Sequence, residues 1–399
     1  MLLKLTFFLF GNRRLESNQP GPEELTDDNP SAYRGFFIAS GLESAQRYYS
    51  GRTMNTTAKC HDDHTLDKYL FPFVYSIVMM ISIPINGLSL YASCVQVRKR
   101  NELAVYLFSL SLADLLYSLL LPLWIDYAWN GDNWKFSALL CQISAFLMYM
   151  NFYTSTAFLA CISVDRYLAL VHPLKLQHLR TRKFSLLVSI IVWLVESVLN
   201  SVILVNKEVF SDPCNFTNHT LCYDIYPLEW WQAQINLFRI CSGYLVPLII
   251  ILFCYHKIYQ VVRCNQATVD EEKKKVRKLI LNITVTFIVC FTPYHVMLLI
   301  RSIKEPYTTD PQLLQLLYKV YRITQALTSV NCIADPILYC FVSETARTDI
   351  VNLLRCCLCL RKREGEEAKD RALYSSATKS SALVVTYKTS CEMGTVKNA

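Results

Sequence analysis

Apolar residues along the chain gather into seven blocks separated by polar stretches: Tyr69 to Val97, Ala104 to Tyr127, Ala138 to Val171, Phe184 to Val205, Ile235 to Val262, Val276 to Ile300 and Leu317 to Phe341. At about 1.5 Å per residue, each block can cross a hydrocarbon layer about 30 Å thick as a helix. The predicted fold is therefore all-α, a seven-transmembrane helix bundle over residues 69–341. Residues 342–355 predict a short amphipathic eighth helix, and 356–399 a polar cytoplasmic tail. Ahead of the bundle, residues 1–68 read as an extracellular tail, with 1–53 a non-essential extension. Met1 to Phe10 is apolar but broken by Lys4, it lacks the small-residue cleavage site of a signal peptide, and Met54 stands as an alternative start.

Composition agrees with a membrane protein: 53% of the 399 residues are hydrophobic and only 18% are charged, where soluble chains carry about a quarter. Nucleic-acid binding would need the net charge of +8 on one face, but the basic residues collect at alternate junctions between blocks. Arg98, Lys99 and Arg100 follow the first block, and Lys175, Arg180, Arg182 and Lys183 follow the third. Lys257, Arg263, Lys273, Lys274, Lys275, Arg277 and Lys278 surround the junction of the fifth and sixth. The other junctions are sparse, with Lys135, Lys207 and Lys304. The positive-inside rule then puts the N-terminus outside and the C-terminus inside a plasma membrane. Glycosylation sequons at Asn55, Asn215 and Asn218 all fall on the predicted outside, and a fourth match at Asn282, inside the sixth block, is read as chance.

Cys60, Cys141, Cys214 and Cys222 lie in the predicted oxidising compartment, and four cysteines allow three connectivities. Cys141, at the outer end of the third block, can tie down the loop after the fourth through Cys222, which leaves Cys60 with Cys214. Cys356, Cys357 and Cys359 sit beside Arg361, Lys362 and Arg363, a setting for S-palmitoylation. The cysteines within the blocks show no recurring paired spacing, so no metal centre is expected.

A transporter built on inverted repeats would show a second copy of one half, and none is visible. Instead each block carries a polar or proline marker: Asn86; Leu112-Ala113-Asp114; Asp165-Arg166-Tyr167; Trp193; Pro247 with Tyr255; Phe291-Thr292-Pro293; and Asp335-Pro336-Ile337-Leu338-Tyr339. Across residues 69–355 this set resembles the rhodopsin-like (class A) G-protein-coupled receptors. The resemblance implies a switch, with Asp165-Arg166-Tyr167 at its inner end, in which Arg166 leaves Asp165 to meet a heterotrimeric G protein. The sixth helix swings about Pro293, and Tyr255 and Tyr339 move inward. Arrestin and receptor kinases are implied as further partners, with Ser375, Ser376, Thr378, Ser380 and Ser381 as phosphorylation candidates. Phe291 stands where most of the family has tryptophan, and Asp335 stands before Pro336 where asparagine is usual.

Ionisable groups inside spans are costly and mark function. Asp114, Glu196 and Asp335 are three carboxyl groups in one bundle that cannot all ionise cheaply, so such a cluster can hold protons in the physiological range. Histidine titrates in the range of extracellular acidification, and His61 and His64 precede the first block while His295 is expected to face an outer cavity. Extended wording, including Ala145-Phe-Leu-Met-Tyr-Met-Asn-Phe152 and His295-Val-Met-Leu-Leu-Ile-Arg301, is similar to the proton-sensing subgroup of the family. That resemblance makes Asp114, Glu196 and Asp335 an acid triad, and His64 and His295 sensing histidines. Lys68 replaces a further histidine of the subgroup, for which His61 can compensate.

Arg239 and Arg322 are expected to line an outer cavity with Asp126, Glu229 or Glu305 as carboxylate partners, serving as a charge relay or an anionic lipid head-group site. Asp114 is a candidate ligand for a sodium ion, and no other cofactor is expected. Signalling through the stimulatory G protein to raise cyclic AMP follows from the resemblance. The competing readings are a receptor for a lysolipid or psychosine-type glycosphingolipid modulated by pH, and a proton channel or transporter using the carboxyl groups as a relay. No nucleophile or phosphate-cradling motif points to an enzyme. If the orientation is right, Asn55→Gln, Asn215→Gln and Asn218→Gln each remove one glycosidase-sensitive mass increment on a denaturing gel, and Asn282→Gln removes none.

Overall fold

The computed structural model describes residues 65–205, 209–211, 220–223, 228–264, 270–308 and 310–342. His61, His64, Cys60, Cys214, Asn55, Asn215, Asn218, Cys356, Cys357 and Cys359 lie outside the described residues, as do the amphipathic segment beyond Val342 and the tail serines. The first helix is Thr65–Arg98 and the third is Ala138–Val171. The fourth is Arg182–Asn200. The second comes as Leu103–Ser118 and Leu121–Trp129, and the seventh as Pro311–Thr328 and Asn331–Val342. The fifth and sixth each contain one π-helical turn. The fifth runs Trp230–Ile240, Cys241–Leu245 and Val246–Cys264. The sixth runs Asp270–Thr286, Phe287–Phe291 and Thr292–Lys304. The first six helices are each long and apolar enough to cross a membrane, and the seventh reaches that length as two pieces end to end.

The seven blocks thus appear where the hydrophobic pattern put them, with differences that have local causes. Pro122 offers no N–H to the carbonyl of Ser118, so the second helix stops there and restarts with proline in its first turn. The seventh begins at Pro311 rather than Leu317, because Asp310 accepts a hydrogen bond from Gln312 N at 3.0 Å and Pro311 needs no donor at that position. The fifth begins at Trp230, where Glu229 and Gln232 form a capping box.

Two of the mid-span prolines are answered from neighbouring helices. Pro247 leaves the carbonyl of Gly243 without its helical donor, and the Thr156 hydroxyl donates to that oxygen at 2.8 Å. Pro336 does the same to Cys332, whose oxygen accepts from Asn86 Nδ2 at 2.7 Å. In a medium without water an unmet carbonyl costs several kcal/mol, so each contact ties one helix to another at a fixed height.

The third helix is the axis of the core, with Phe152, Phe158, Leu159 and Ile162 fully buried. Outward faces carry large apolar side chains such as Met80, Leu194 and Ile249, each at least 60% exposed, as lipid contact requires. At one end, β1 (Val209–Ser211) pairs antiparallel with β2 (Thr220–Cys222) in the register Phe210↔Leu221. The Cys141–Cys222 disulfide pins that hairpin to the third helix with a Cα–Cα distance of 5.8 Å. Trp134 fixes it from the loop after the second helix, donating its backbone N–H to Thr220 O at 2.7 Å.

Gly243 lets the third and fifth helices meet closely: a Cβ there would lie 2.4 Å from the Tyr153 ring. Gly243→Ala is therefore expected to destabilise the bundle by about 1–3 kcal/mol. Thermal unfolding in detergent should show a lowered midpoint, whereas Gly87→Ala, with nothing within 4 Å of its added methyl group, should not lower it.

Candidate functional site

Three polar layers lie along the bundle. At the end away from the disulfide, Arg166 folds back on Asp165, with Nη2 and Nε at 2.5 and 3.0 Å from Oδ2. Asp165 also faces Arg180 at 3.6 Å, and Arg180 in turn holds Glu102 at 2.5 Å. The Asp165–Arg166 pair of the sequence reading is thus one link in a chain from the start of the second helix, through the loop after the third, to Arg166. Tyr167 hydrogen-bonds His172 at 3.1 Å, and Tyr255 stacks on Tyr259. Glu102 and Arg180 carried no signal beyond being charges near span ends, because no local spacing relates them.

The middle layer holds Asp114, fully buried, accepting from Asn151 Nδ2 at 2.8 Å. Cys332 Sγ contacts Asn151 and Asn331, and the carboxyl group of Asp335 has Asp114 as its charged neighbour. Neither oxygen of Asp335, nor Asp114 Oδ2, nor Asn86 Oδ1 has a hydrogen-bond partner among the described residues. Glu196 does not join this cluster. The charge acting on it is Arg239, and its backbone oxygen accepts from Asn200. The expected triad is therefore a pair plus a separate carboxyl group. The fourth helix packs on the side of the third away from the seventh, which the sequence could not reveal.

His295 also departs from expectation. It is 1% exposed and does not line the outer cavity. Its position one turn beyond Phe291 directs it between helices, where Nδ1 pairs with the Phe291 carbonyl at 2.8 Å. The ring stacks on Tyr244 at 4.5 Å and meets Tyr294 edge-on at 4.9 Å. Nε2 has no hydrogen-bond partner among the described residues. Phe291 itself is fully buried against Phe287, beside the π-helical turn that precedes Pro293.

The outer layer, at the disulfide end, is a cavity lined by arginines and aromatic rings, among them Arg239, Arg301, Arg322, Tyr149, Tyr321 and Trp231. Arg239 and Arg322 are both present as expected, but their expected partners are not. Arg322 pairs with Asp132 at 2.5 and 3.0 Å rather than with Asp126 or Glu229. Glu229 caps the fifth helix, and Asp126 contributes its backbone carbonyl to the turn around Asn130. Asp132 reaches inward because Gly131 and Asp132 both adopt the left-handed conformation, with φ of 68° and 59°. Arg301, which the sequence reading passed over, pairs with Glu305, a spacing of four that a helix brings together. Lys68 is exposed in the first turns of the first helix.

A family model described as "7 transmembrane receptor (rhodopsin family)" matches residues 85–339. The chain belongs to the rhodopsin family of seven-transmembrane receptors. It is 57% identical over 309 residues to G-protein coupled receptor 65 of Homo sapiens, covering 76% of this chain and 91% of that receptor. It is 39% identical over 334 residues to G-protein coupled receptor 68 of Mus musculus, covering 83% and 90%. The Platelet-activating factor receptor of Homo sapiens is 32% identical over 295 residues, covering 72% and 86%. The chain is accordingly a multi-pass membrane receptor and not an enzyme, and the resemblance read from the motifs is borne out at that level.

The middle layer generates a direct test. Replacing one of two adjoining buried carboxyl groups, Asp335→Asn, removes a partnerless ionisable group, so the thermal midpoint near pH ~7 should rise. Its variation between about pH 6 and about pH 8 should flatten, since one proton-linked group is gone. Unchanged pH dependence would show that the pair does not exchange protons on folding.

Proposed function

We propose that this receptor is activated by extracellular protons and signals through the stimulatory G protein to raise cyclic AMP, with its N-terminus outside the plasma membrane and its C-terminus inside. The observation that carries the reading is His295. Its Nδ1 is engaged by a backbone carbonyl in the π-helical turn before Pro293, while its buried Nε2 is bare. A proton taken up at Nε2 creates an imidazolium against the face of Tyr244, a cation–π contact. That charge also needs an acceptor, and Tyr153 and Tyr294, whose rings contact the imidazole, carry buried hydroxyl groups that can supply one. Meeting that need shifts the sixth helix against the third and fifth.

One group does not suffice. Moving a switch from 1:99 to 99:1 takes about 5.5 kcal/mol of differential binding, and a group whose proton affinity changes tenfold between states supplies about 1.4 kcal/mol. About four groups must act together. His295, the Asp114–Asp335 pair, Glu196 and the tail histidines His61 and His64 supply them. Protons select whichever state binds them more tightly, so cooperation among these groups gives a steep response. The orphan oxygens of Asp114, Asp335 and Asn86 also suit a sodium ion, which would favour the ionised carboxyl groups and oppose the protons. Release of Arg166 from Asp165 then opens the inner end to the G protein. Arrestin, receptor kinases, palmitoylation of Cys356, Cys357 and Cys359 and a second disulfide between Cys60 and Cys214 complete the proposal.

The test is cyclic AMP accumulation in lipid-depleted medium, in cells expressing the full chain, as pH falls from about 8 to about 6. A steep rise is expected, with His295→Phe moving the midpoint to lower pH by a few tenths of a unit. A response that is flat at every pH, with the receptor at the surface, overturns the reading.

A further inference from the structure

The outer cavity has an imbalance that proton sensing does not use. Arg301 is matched by Glu305, which also accepts from Leu228 N at 3.0 Å, and Arg322 is matched by Asp132. Arg239 is different. It is 7% exposed and lines the cavity, yet among the described residues its one hydrogen bond is a long contact of 3.5 Å to Asn200 Oδ1. Its guanidinium carbon lies 4.9 Å from the Tyr149 ring centre and 6.0 Å from that of Tyr153. No carboxylate among the described residues is within ion-pair distance. A guanidinium stays charged and offers five donors, and ring faces recover only part of its lost hydration.

We propose that the cavity is a binding site for a small anion, a carboxylate or phosphate group, with Arg239 as its anchoring residue. Size favours a compact ligand. The cavity volume is about 80 Å³, where one water needs about 10–15 Å³. That admits a carboxylate or phosphate group with a small body. Charge disfavours the opposite class, since a psychosine-type amine would meet the Arg239 guanidinium, which has no carboxylate among the described residues within ion-pair distance. The ionisable groups around Arg239 are Tyr149 and Tyr153 from the third helix, Glu196 from the fourth, Tyr223 from the loop and Tyr294 from the sixth. Of these, Glu196 is the carboxyl group, and it makes no direct contact with Arg239. Neutralising Glu196 should therefore strengthen the site.

The test uses the full-chain receptor purified in uncharged detergent, with benzoate and inorganic phosphate as probes and benzylammonium as the cationic control. Benzoate or phosphate should raise the thermal midpoint and give a saturable binding isotherm, and benzylammonium should do neither. Arg239→Gln should weaken the bound probe at least about tenfold, equivalent to about 1.4 kcal/mol, and Glu196→Gln should tighten it several-fold. If Arg239→Gln does not fold, Arg239→Lys, which keeps the charge but loses the planar fork, should weaken it less and still measurably. Displacement of benzoate by nanodiscs containing phosphatidic acid, but not by pure phosphatidylcholine discs, would assign the anion to a lipid head group. Absence of displacement would assign it to a soluble anion. No binding of either probe, equal binding of the cation, or an unchanged isotherm in both Arg239 and Glu196 variants overturns the proposal. The acid response plays no part in these measurements, so failure of the proton reading leaves them intact.

Discussion

A backbone carbonyl released by proline inside a water-free layer must find a donor, and much of this bundle is arranged around that need. Asn86 reaches from the first helix to Cys332 O below Pro336, and Thr156 reaches from the third to Gly243 O below Pro247. Each contact sets the height of one helix against another. Each also leaves polar atoms around it, and these become the functional middle of the molecule. Asn86 Oδ1 is left over beside the Asp114–Asp335 pair, and the Gly243 contact draws Tyr153 against the fifth helix, where Tyr153 and Tyr244 flank His295. The polar atoms left without partners and the contacts that hold the helices in register thus lie among neighbouring residues.

That sharing explains why the ionisable groups divide as they do. Asp114 and Asp335 face each other through the first, second and seventh helices, next to the carbonyl that Pro336 releases. Glu196 works with Arg239 on the far side of the third helix. The third helix, buried through its middle, stands between the two groups and touches both, since Asn151 holds Asp114 while Tyr149 and Tyr153 underlie Arg239. Carboxyl groups divided between the two sides of one helix do not repel each other at close range, an arrangement cheaper than three adjoining carboxyl groups.

Span positions were legible in the sequence because length and apolar continuity suffice to place a membrane helix. The Cys141–Cys222 bridge and the Asp165–Arg166 pair were legible because topology or adjacency brings those residues together. What escaped was every contact that depends on how helices rotate or how a loop turns. Asp132 pairs with Arg322 only through two consecutive left-handed residues. Glu102 and Arg180 meet through a loop 78 residues away in sequence. His295 looked cavity-facing from its offset to Pro293, yet it stands one turn beyond Phe291 and is buried between helices. Arg301 with Glu305 was readable from a spacing of four and was simply masked by its place at a span end.

The same π-helical turns bear on how a proton could move a helix. A π turn carries one residue more than its α-helical equivalent, so it is a place where helical phase can change with little disturbance elsewhere. In the fifth helix it lies at Cys241–Leu245, just before Pro247, and in the sixth at Phe287–Phe291, just before Pro293. His295 and Tyr244, stacked face to face, bridge the two. A charge created on the imidazole would therefore lie beside both π turns, four residues from the carbonyl that pairs with Nδ1. The fifth and sixth helices run from that point to the loop end that carries Lys273, Lys274, Lys275, Arg277 and Lys278. The same end carries the Glu102–Arg180–Asp165–Arg166 chain.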